Sequence, residues 1–326
     1  MSVIRALFAR LENARLLDPV AEAVADAVHQ TIPNPKIADL LHGRWLGHPV
    51  HPVLVQLPVG AWASASVLDF TPGGRTAARR LVGVGLLTAP VAVAAGLADW
   101  ADLEPEQRRV GLVHAAANTV GITLYAASWT ARKQGRQLAG VGYALLGLTA
   151  VGLGGALGGH LAYSQASGVN HAEGAMRRAG DGWHDLGPLD EIPVGKPVRR
   201  DVGDTTVVVY RRTSTAAGGS TGNGSTGNGS TGDGRGSTVG AAAGVHVLAS
   251  ECSHAGGPLH EGVVTDGPGE PRISCPWHGS VFRLVDGEPL RGPATACQPV
   301  FQTEVVAGRL RARAVAEGSM WKNAEV

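Results

Sequence analysis

Cysteine is scarce in this chain: three among 326 residues, at positions 252, 275 and 297. So few thiols exclude a disulfide-stapled scaffold. Net charge is scarce as well. Twenty-eight lysines and arginines face 27 aspartates and glutamates, a formal charge of +1, so the basic footprint of a nucleic-acid binder is missing. The N-terminus, M-S-V-I-R-A-L-F-A-R, shows neither the long apolar core and small-residue cleavage site of a secretory signal nor a twin-arginine motif. Charge is absent above all from four long stretches of the first half, where Ala, Gly, Val and Leu crowd together.

Two of the three cysteines stand in C-S-H (Cys252-Ser253-His254) and C-P-W-H (Cys275-Pro276-Trp277-His278). Together they offer two thiolates and two imidazoles. That is the donor set of a two-iron centre in which two Cys hold one iron and two His the other. Thiolate and imidazole also bind zinc, so a tetrahedral zinc site is the alternative. Zinc signatures more often pair C-x-x-C with H-x-x-x-H, each pair from one local element. A mixed Cys/His pair in each of two loops suits loops that clamp a cluster from both sides.

The full loops, C-S-H-A-G-G-P-L-H-E-G and C-P-W-H-G-S-V-F, resemble those of a Rieske [2Fe-2S] domain of the bacterial ferredoxin type, over roughly residues 183–316. The resemblance implies one-electron transfer, with Cys252 and Cys275 on the inner iron and His254 and His278 on the outer, exposed one. It implies a potential between about −150 and +300 mV. Respiratory-complex relatives add one cysteine to each loop and join the two as a disulfide; here Gly257 and Trp277 occupy those positions. Their serine hydroxyl to the cluster sulfurs is kept as Ser280, in a supporting role, while Phe282 replaces their tyrosine. Fewer donors to the sulfurs place the potential at the low end, about −150 mV. Gly256, Gly257, Pro258, Pro276 and Gly279 shape the loops. His260 reads as a surface or supporting residue, and Cys297 as a buried structural thiol.

Strand patterns surround the loops at Pro197–Val202, Thr205–Tyr210, Val245–Leu248, Phe301–Val306 and Arg309–Arg313, the last two a hairpin around Gly308. They predict a small all-β domain. Between the second and third lies a Gly/Ser/Thr tract, 213–244, with three copies of a five-residue unit in Ser220–Gly234. Such composition cannot bury apolar area and predicts flexibility. The family pattern joins V-V-V-Y-R directly to V-H-V-L-A, so the tract reads as an expanded hairpin loop rather than an interdomain linker.

Four apolar stretches, Val53–Phe70, Leu81–Ala98, Val110–Trp129 and Leu138–Gly159, are long enough to span a bilayer and carry almost no charge. The preceding G-H-P-V-H-P element, followed by a Pro-containing apolar helix, resembles a bacterial family of four-helix membrane domains of unknown function, over about residues 40–165. Ser2–Leu17 is basic and amphipathic, with Ile4, Leu7, Phe8 and Leu11 on one face. Asp18-Pro19 reads as the N-cap and first residue of another helix.

The expected architecture is therefore a membrane α-helical bundle of four transmembrane helices and a C-terminal all-β Rieske domain. Its segments are amphipathic N-terminal helices (1–39), the transmembrane domain (40–165), a connector (166–182), the Rieske domain (183–316) with its 213–244 insertion, and a tail (317–326). Four spans would gather His48, His51, Asp99, Trp100, His114 and His160 at one membrane face, the face from which the Rieske domain departs. Ionisable residues in a membrane are costly and often functional. His114 with His51 or His160 is thus a candidate haem b or metal site. Six basic residues lie near each face (Arg75, Arg79, Arg80, Arg132, Lys133, Arg136 against Lys36, Arg44, Arg108, Arg109, Arg177, Arg178), so charge sets no orientation. The missing export signal leans toward a cytoplasmic Rieske domain.

The function expected is a membrane-anchored electron carrier between a quinone, cytochrome or other redox partner and an acceptor. Alternatives are the ferredoxin component of a multi-subunit oxygenase and a cluster-based redox sensor. A self-contained Rieske oxygenase would need a further domain bearing a mononuclear iron.

Overall fold

The computed structural model describes residues 3–212, 244–267 and 269–314. It divides into two compact units, Met1–Val169 and Asn170–Val326. The 213–243 part of the Gly/Ser/Thr tract and the 317–326 tail lie outside the described residues.

The first unit is helical. Three short helices, α1 (Val3–Glu12), α2 (Asp18–Thr31) and α3 (Pro35–His42), lead into α4 (His51–Leu54), α5 (Gln56–Asp69), α6 (Arg75–Ala101), α7 (Pro105–Lys133) and α8 (Gln137–Tyr163). α6, α7 and α8 are long and apolar enough to cross a bilayer. At 27, 29 and 27 residues each measures about 40 Å, more than the about 30 Å of hydrocarbon. Their outward faces carry Leu87, Val91, Val120, Leu138 and Leu153, all exposed. Lipid tolerates such a surface where water would not. The inward faces are small. A Cβ on Gly121 would stand 2.5 Å from Val151, so α7 and α8 pack backbone to backbone as membrane helices do.

The stretch expected as the first span is divided. α4 and α5 meet at Val55, and α5 has 14 residues. Pro58 supplies the reason: it has no N–H to give the carbonyl of Leu54, so one rung of the helix is missing at the junction. Asp18 also departs from expectation. It is the first residue of α2 rather than its cap, and its carboxylate binds Arg109, with Nε 2.6 Å and Nη2 2.9 Å away. Two arginines of the charge tally are thereby buried in pairs: Arg109, and Arg132, which clasps Asp69 with both guanidinium nitrogens. Both side chains of the Arg132–Asp69 pair are 1% exposed.

The second unit opens with α9 (Ala175–Ala179) and continues as ten strands: β1 (His184–Pro188), β2 (Pro197–Val202), β3 (Thr205–Arg211), β4 (Val245–Ala249), β5 (Val263–Thr265), β6 (Arg272–Ser274), β7 (Val281–Arg283), β8 (Pro289–Arg291), β9 (Gln302–Val306) and β10 (Arg309–Arg313). They form antiparallel sheets in the orders β1-β10-β9, β2-β3-β4 and β5-β6-β7-β8. β3 pairs directly with β4, Val207 opposite Ala249 and Arg211 opposite Val245, so the Gly/Ser/Thr tract leaves and re-enters one sheet. One core joins Met176, Ile192, Val207, Val209, Val247, Phe301 and Leu310. The other joins Val208, Leu248, Leu259, Ile273, Phe282 and Leu284 to Cys252 and Cys275.

Candidate metal centre

Two loops rise from this second core, one after β4 and one joining β6 to β7, and they are built alike. In the first, the Cys252 N–H donates to the Gly257 carbonyl and the Gly256 N–H donates back to the Cys252 carbonyl, both at 2.8 Å. In the second, the Cys275 N–H donates to Ser280 O at 2.8 Å and the Gly279 N–H to Cys275 O at 3.2 Å. Each loop therefore closes between its cysteine and the residues four and five places later. The residue four places on must turn with positive φ, +77° at Gly256 and +68° at Gly279, which explains the glycine at that place in both motifs.

Within each loop the sulfur is aimed inward. Cys252 and Cys275 are buried and hydrogen-bonded to each other. The Cys252 thiol raises its own pKa by donating to Cys275, and burial raises it further; the same hydrogen bond lowers that of Cys275 against the cost of burial. Each sulfur also receives the backbone N–H groups two and three residues on: His254 and Ala255 at Cys252, Trp277 and His278 at Cys275. Amide donors of this kind stabilise thiolates, and they would stabilise a reduced metal–sulfur core. His254 and His278 are half-buried at the loop tips, their rings 5.1 Å apart at 86°.

The four donors thus gather as a sulfur pair beneath an imidazole pair. Two thiolates and two imidazoles are the donor types of a two-iron cluster with mixed ligation, and the same donor types also bind zinc.

The surroundings hold the loops in place. Ser280 is fully buried and its oxygen accepts the Ala294 N–H at 3.1 Å, which leaves the hydroxyl proton to donate elsewhere. Phe282 fills the core below. A Cβ at Gly257 would stand 2.8 Å from Cys275 Sγ and 3.1 Å from the Trp277 ring, so the two positions that carry cysteines in disulfide-bearing Rieske proteins face each other here as glycine against indole. His260 receives its place from Ser250, whose hydroxyl lies 2.6 Å from Nδ1. Cys297 is exposed, contrary to the buried position expected of it: the chain there runs along the surface between buried Ala294 and Gln298.

Gln298 escaped the sequence reading. Its buried amide accepts the Ser253 N–H at 3.1 Å and donates to the carbonyls of Ala249, at 2.7 Å, and Glu251, tying the first loop to the end of β4. Ser253 adds a bond from its hydroxyl to Ala296 O at 2.9 Å, and its carbonyl accepts the His171 N–H at 3.0 Å.

Of the helical-unit histidines, His51 and His114 come together, ring centroids 6.3 Å apart. Their Nδ1 atoms bond the carbonyls of Ala92 (2.8 Å) and Gly154 (2.7 Å). His160 does not join them. It stacks on Phe8 and places Nε2 2.7 Å from Glu12. His48 is exposed and turns to the Pro49 carbonyl. The haem b expectation finds no support here: the three histidines are dispersed, and helix backbone at Gly96 and Gly158 packs directly on the two rings that do meet.

Comparison with known proteins agrees with the two-part reading. Residues 47–171 match the family described as predicted membrane protein (DUF2231), and residues 182–302 match the Rieske [2Fe-2S] domain. A human Rieske domain-containing protein is 47% identical over 45 residues, 14% of this chain and 29% of that protein. Mouse apoptosis-inducing factor 3 is 33% identical over 69 residues, 21% of this chain and 11% of that protein. The chain thus spans less than a third of these relatives. Among solved structures, the ferredoxin of carbazole 1,9a-dioxygenase from Nocardioides aromaticivorans IC177 is 19% identical, covering 41% of this chain and 100% of that one (TM-score 0.30). A putative NADH-dependent nitrite reductase small subunit from Mycobacterium tuberculosis is 21% identical, covering 41% and 96% (TM-score 0.29).

Proposed function

Because this chain joins a DUF2231 membrane domain to a Rieske [2Fe-2S] domain, we propose that it is a membrane-anchored one-electron carrier. The observation that carries the reading is the division of the four donors, sulfurs inside and imidazoles outside. Cys252 and Cys275 would hold the inner iron, and His254 and His278 the outer one. When bound, the cluster supplies a site that gains and loses a single electron without a bond being made or broken at the partner. The chain's own part is positional. Backbone amides point at the sulfurs, the buried Ser280 hydroxyl keeps a proton to donate, and the half-buried imidazoles form the edge that a partner approaches.

The anchor confines that edge to the plane where a membrane quinone, a cytochrome or a membrane-associated oxygenase or reductase component meets it. We read α4 and α5 as the fourth span. They run end to end from His51 to Asp69 through Val55, which itself keeps helical angles (φ −64°, ψ −21°). An even number of spans puts the N-terminal helices and the Rieske domain on one side. We take that side to be the cytoplasm, which labelling of the exposed Cys297 in intact cells tests.

Paramagnetic resonance and optical spectra of dithionite-reduced membranes, with iron and acid-labile sulfide assays on the purified protein, test the assignment. We expect one [2Fe-2S] signal per chain, lost in Cys275→Ser and altered in His278→Cys. Zinc in place of iron, or iron without sulfide, would overturn it.

A further inference from the structure

The electron-carrier reading leaves unused a row of alternating imidazoles and carboxylates in the helical unit. His29, on α2, places Nε2 3.2 Å from Asp102 Oδ1. The other Asp102 oxygen lies 3.6 Å from His42 Nε2. The opposite nitrogen of that same ring, His42 Nδ1, lies 2.9 Å from Asp99 Oδ1. Asp99 stands three residues after Gly96 on α6, where a Cβ would lie 2.7 Å from the His51 ring, and His51 meets His114 ring to ring. Side-chain exposure is 55% at His29, 19% at Asp102, 6% at His42 and 27% at Asp99, so the bridging imidazole is the most buried of the four. The other charges facing His42 are Asp39 and the Arg44 that pairs with it at 3.3 Å.

Two features go beyond what packing requires. First, a carboxylate is shared: Asp102 faces two imidazoles, while Asp99 binds one and stands three residues from the glycine that packs on a second. His42 is a bridge, with a carboxylate at either nitrogen, which is the geometry in which an imidazole takes a proton on one side and releases one on the other. Second, room is kept for the inner pair. A Cβ at Gly96 would stand 2.7 Å from the His51 ring, and one at Gly158 3.1 Å from that of His114. The carbonyls of Ala92 and Gly154 engage both Nδ1 atoms, so each neutral ring keeps its proton there and presents Nε2 as its acceptor, that of His114 lying 3.2 Å from the Asn118 amide nitrogen. Ionisable rows of this composition at membrane helices are costly to keep and recur in proton relays.

We propose that His29, Asp102, His42 and Asp99 form a proton-exchange path between water and the His51–His114 pair. A proton arriving from water at His29 passes to Asp102. His42 accepts it on Nε2 and gives the Nδ1 proton to Asp99, and Asp99 hands it to the inner pair. One proton moves inward and no electron moves, so the path stands whether or not the cluster assignment does.

The test is hydrogen exchange at the histidine rings, measured by saturation transfer on the full-length protein with isotope-labelled histidine in lipid nanodiscs. Signals are assigned with single His→Gln variants. In Asp99→Asn and Asp102→Asn, exchange of water with the His51 and His114 ring protons should slow roughly 100-fold, the low end of what a positioned acid–base group adds to proton transfer. The exposed His48 serves as control and should not change. Unaltered exchange at the inner pair in both variants would refute the path. So would equal slowing at His48, which marks a general effect. Loss of helical content in both of these near-isosteric variants would assign the row to folding alone and overturn the proposal as well.

Discussion

Gln298 shows what one side chain contributes to the first ligand loop. It satisfies a buried N–H and two carbonyls at once. Gln298→Ala should cost about 1–3 kcal/mol for each group left unpaired, read as a lower denaturation midpoint of the Rieske domain. Gly257→Ala should cost the cluster itself, since the new methyl meets Cys275 Sγ and the Trp277 ring inside normal contact; iron content after purification reports this. Phe282→Tyr would return a hydroxyl to the sulfur environment and raise the midpoint potential from the expected low end, about −150 mV. A wild-type midpoint above about +100 mV by voltammetry would contradict that placement. The proposed ligands stand out in the sequence because their chemistry is local: C-x-H and C-x-x-H each fit one turn of chain. The glycine four places after each cysteine was visible too, though its hydrogen-bonded role was not. Gln298 was illegible, because its partner Ser253 lies 45 residues away and nothing beside Gln298 marks it.

Beside the Asn34 cap of α3 and the Glu104–Gln107 capping box of α7, buried ion pairs tie helix ends of the first unit to one another. Arg132 and Asp69 pin the end of α7 to the end of α5 with both side chains out of solvent. Removing one partner strands a buried charge, so Asp69→Ala should lower stability by about 3–5 kcal/mol in detergent-based unfolding. His42 adds a pH dependence. Burial disfavours its charged form, but the hydrogen bond and charge of Asp99, with Asp102 and Asp39, outweigh burial and raise its pKa above the usual 6.5. A raised histidine contributes its full stability below its unfolded pKa and loses it as pH climbs through the folded one. Thermal unfolding of the helical unit should therefore fall as pH rises beyond about 6.5, and the slope should flatten in His42→Gln. Sequence periodicity located the apolar stretches but not these pairs. Asp18 looked like a cap because Asp-Pro commonly opens a helix; its true partner, Arg109, is 91 residues distant.

On the scale of the whole molecule, each unit has its own cores, which the contrast between an apolar first half and a polar second half announced. The β3–β4 pairing across the Gly/Ser/Thr tract was likewise readable, since V-V-V-Y-R and V-H-V-L-A match as neighbouring strands. The number of spans was less so, because hydropathy does not register a missing rung at Pro58. Residues Asn170–Val326, produced alone, should assemble the cluster with an unchanged resonance spectrum, given that all four donors and both β cores lie within them. Cys297 offers a handle on sidedness. As the exposed thiol it should resist a membrane-impermeant maleimide in intact cells and react once they are permeabilised; labelling of intact cells would put the Rieske domain outside. The indole of Trp277 resting on Gly257 has a practical consequence of its own. Nothing between the two fingers can be cleaved by dithiothreitol or glutathione, so the protein can be prepared, stored and assayed in strong reductant without its loops coming apart, and a rise or fall in thiol tension around it leaves its wiring untouched.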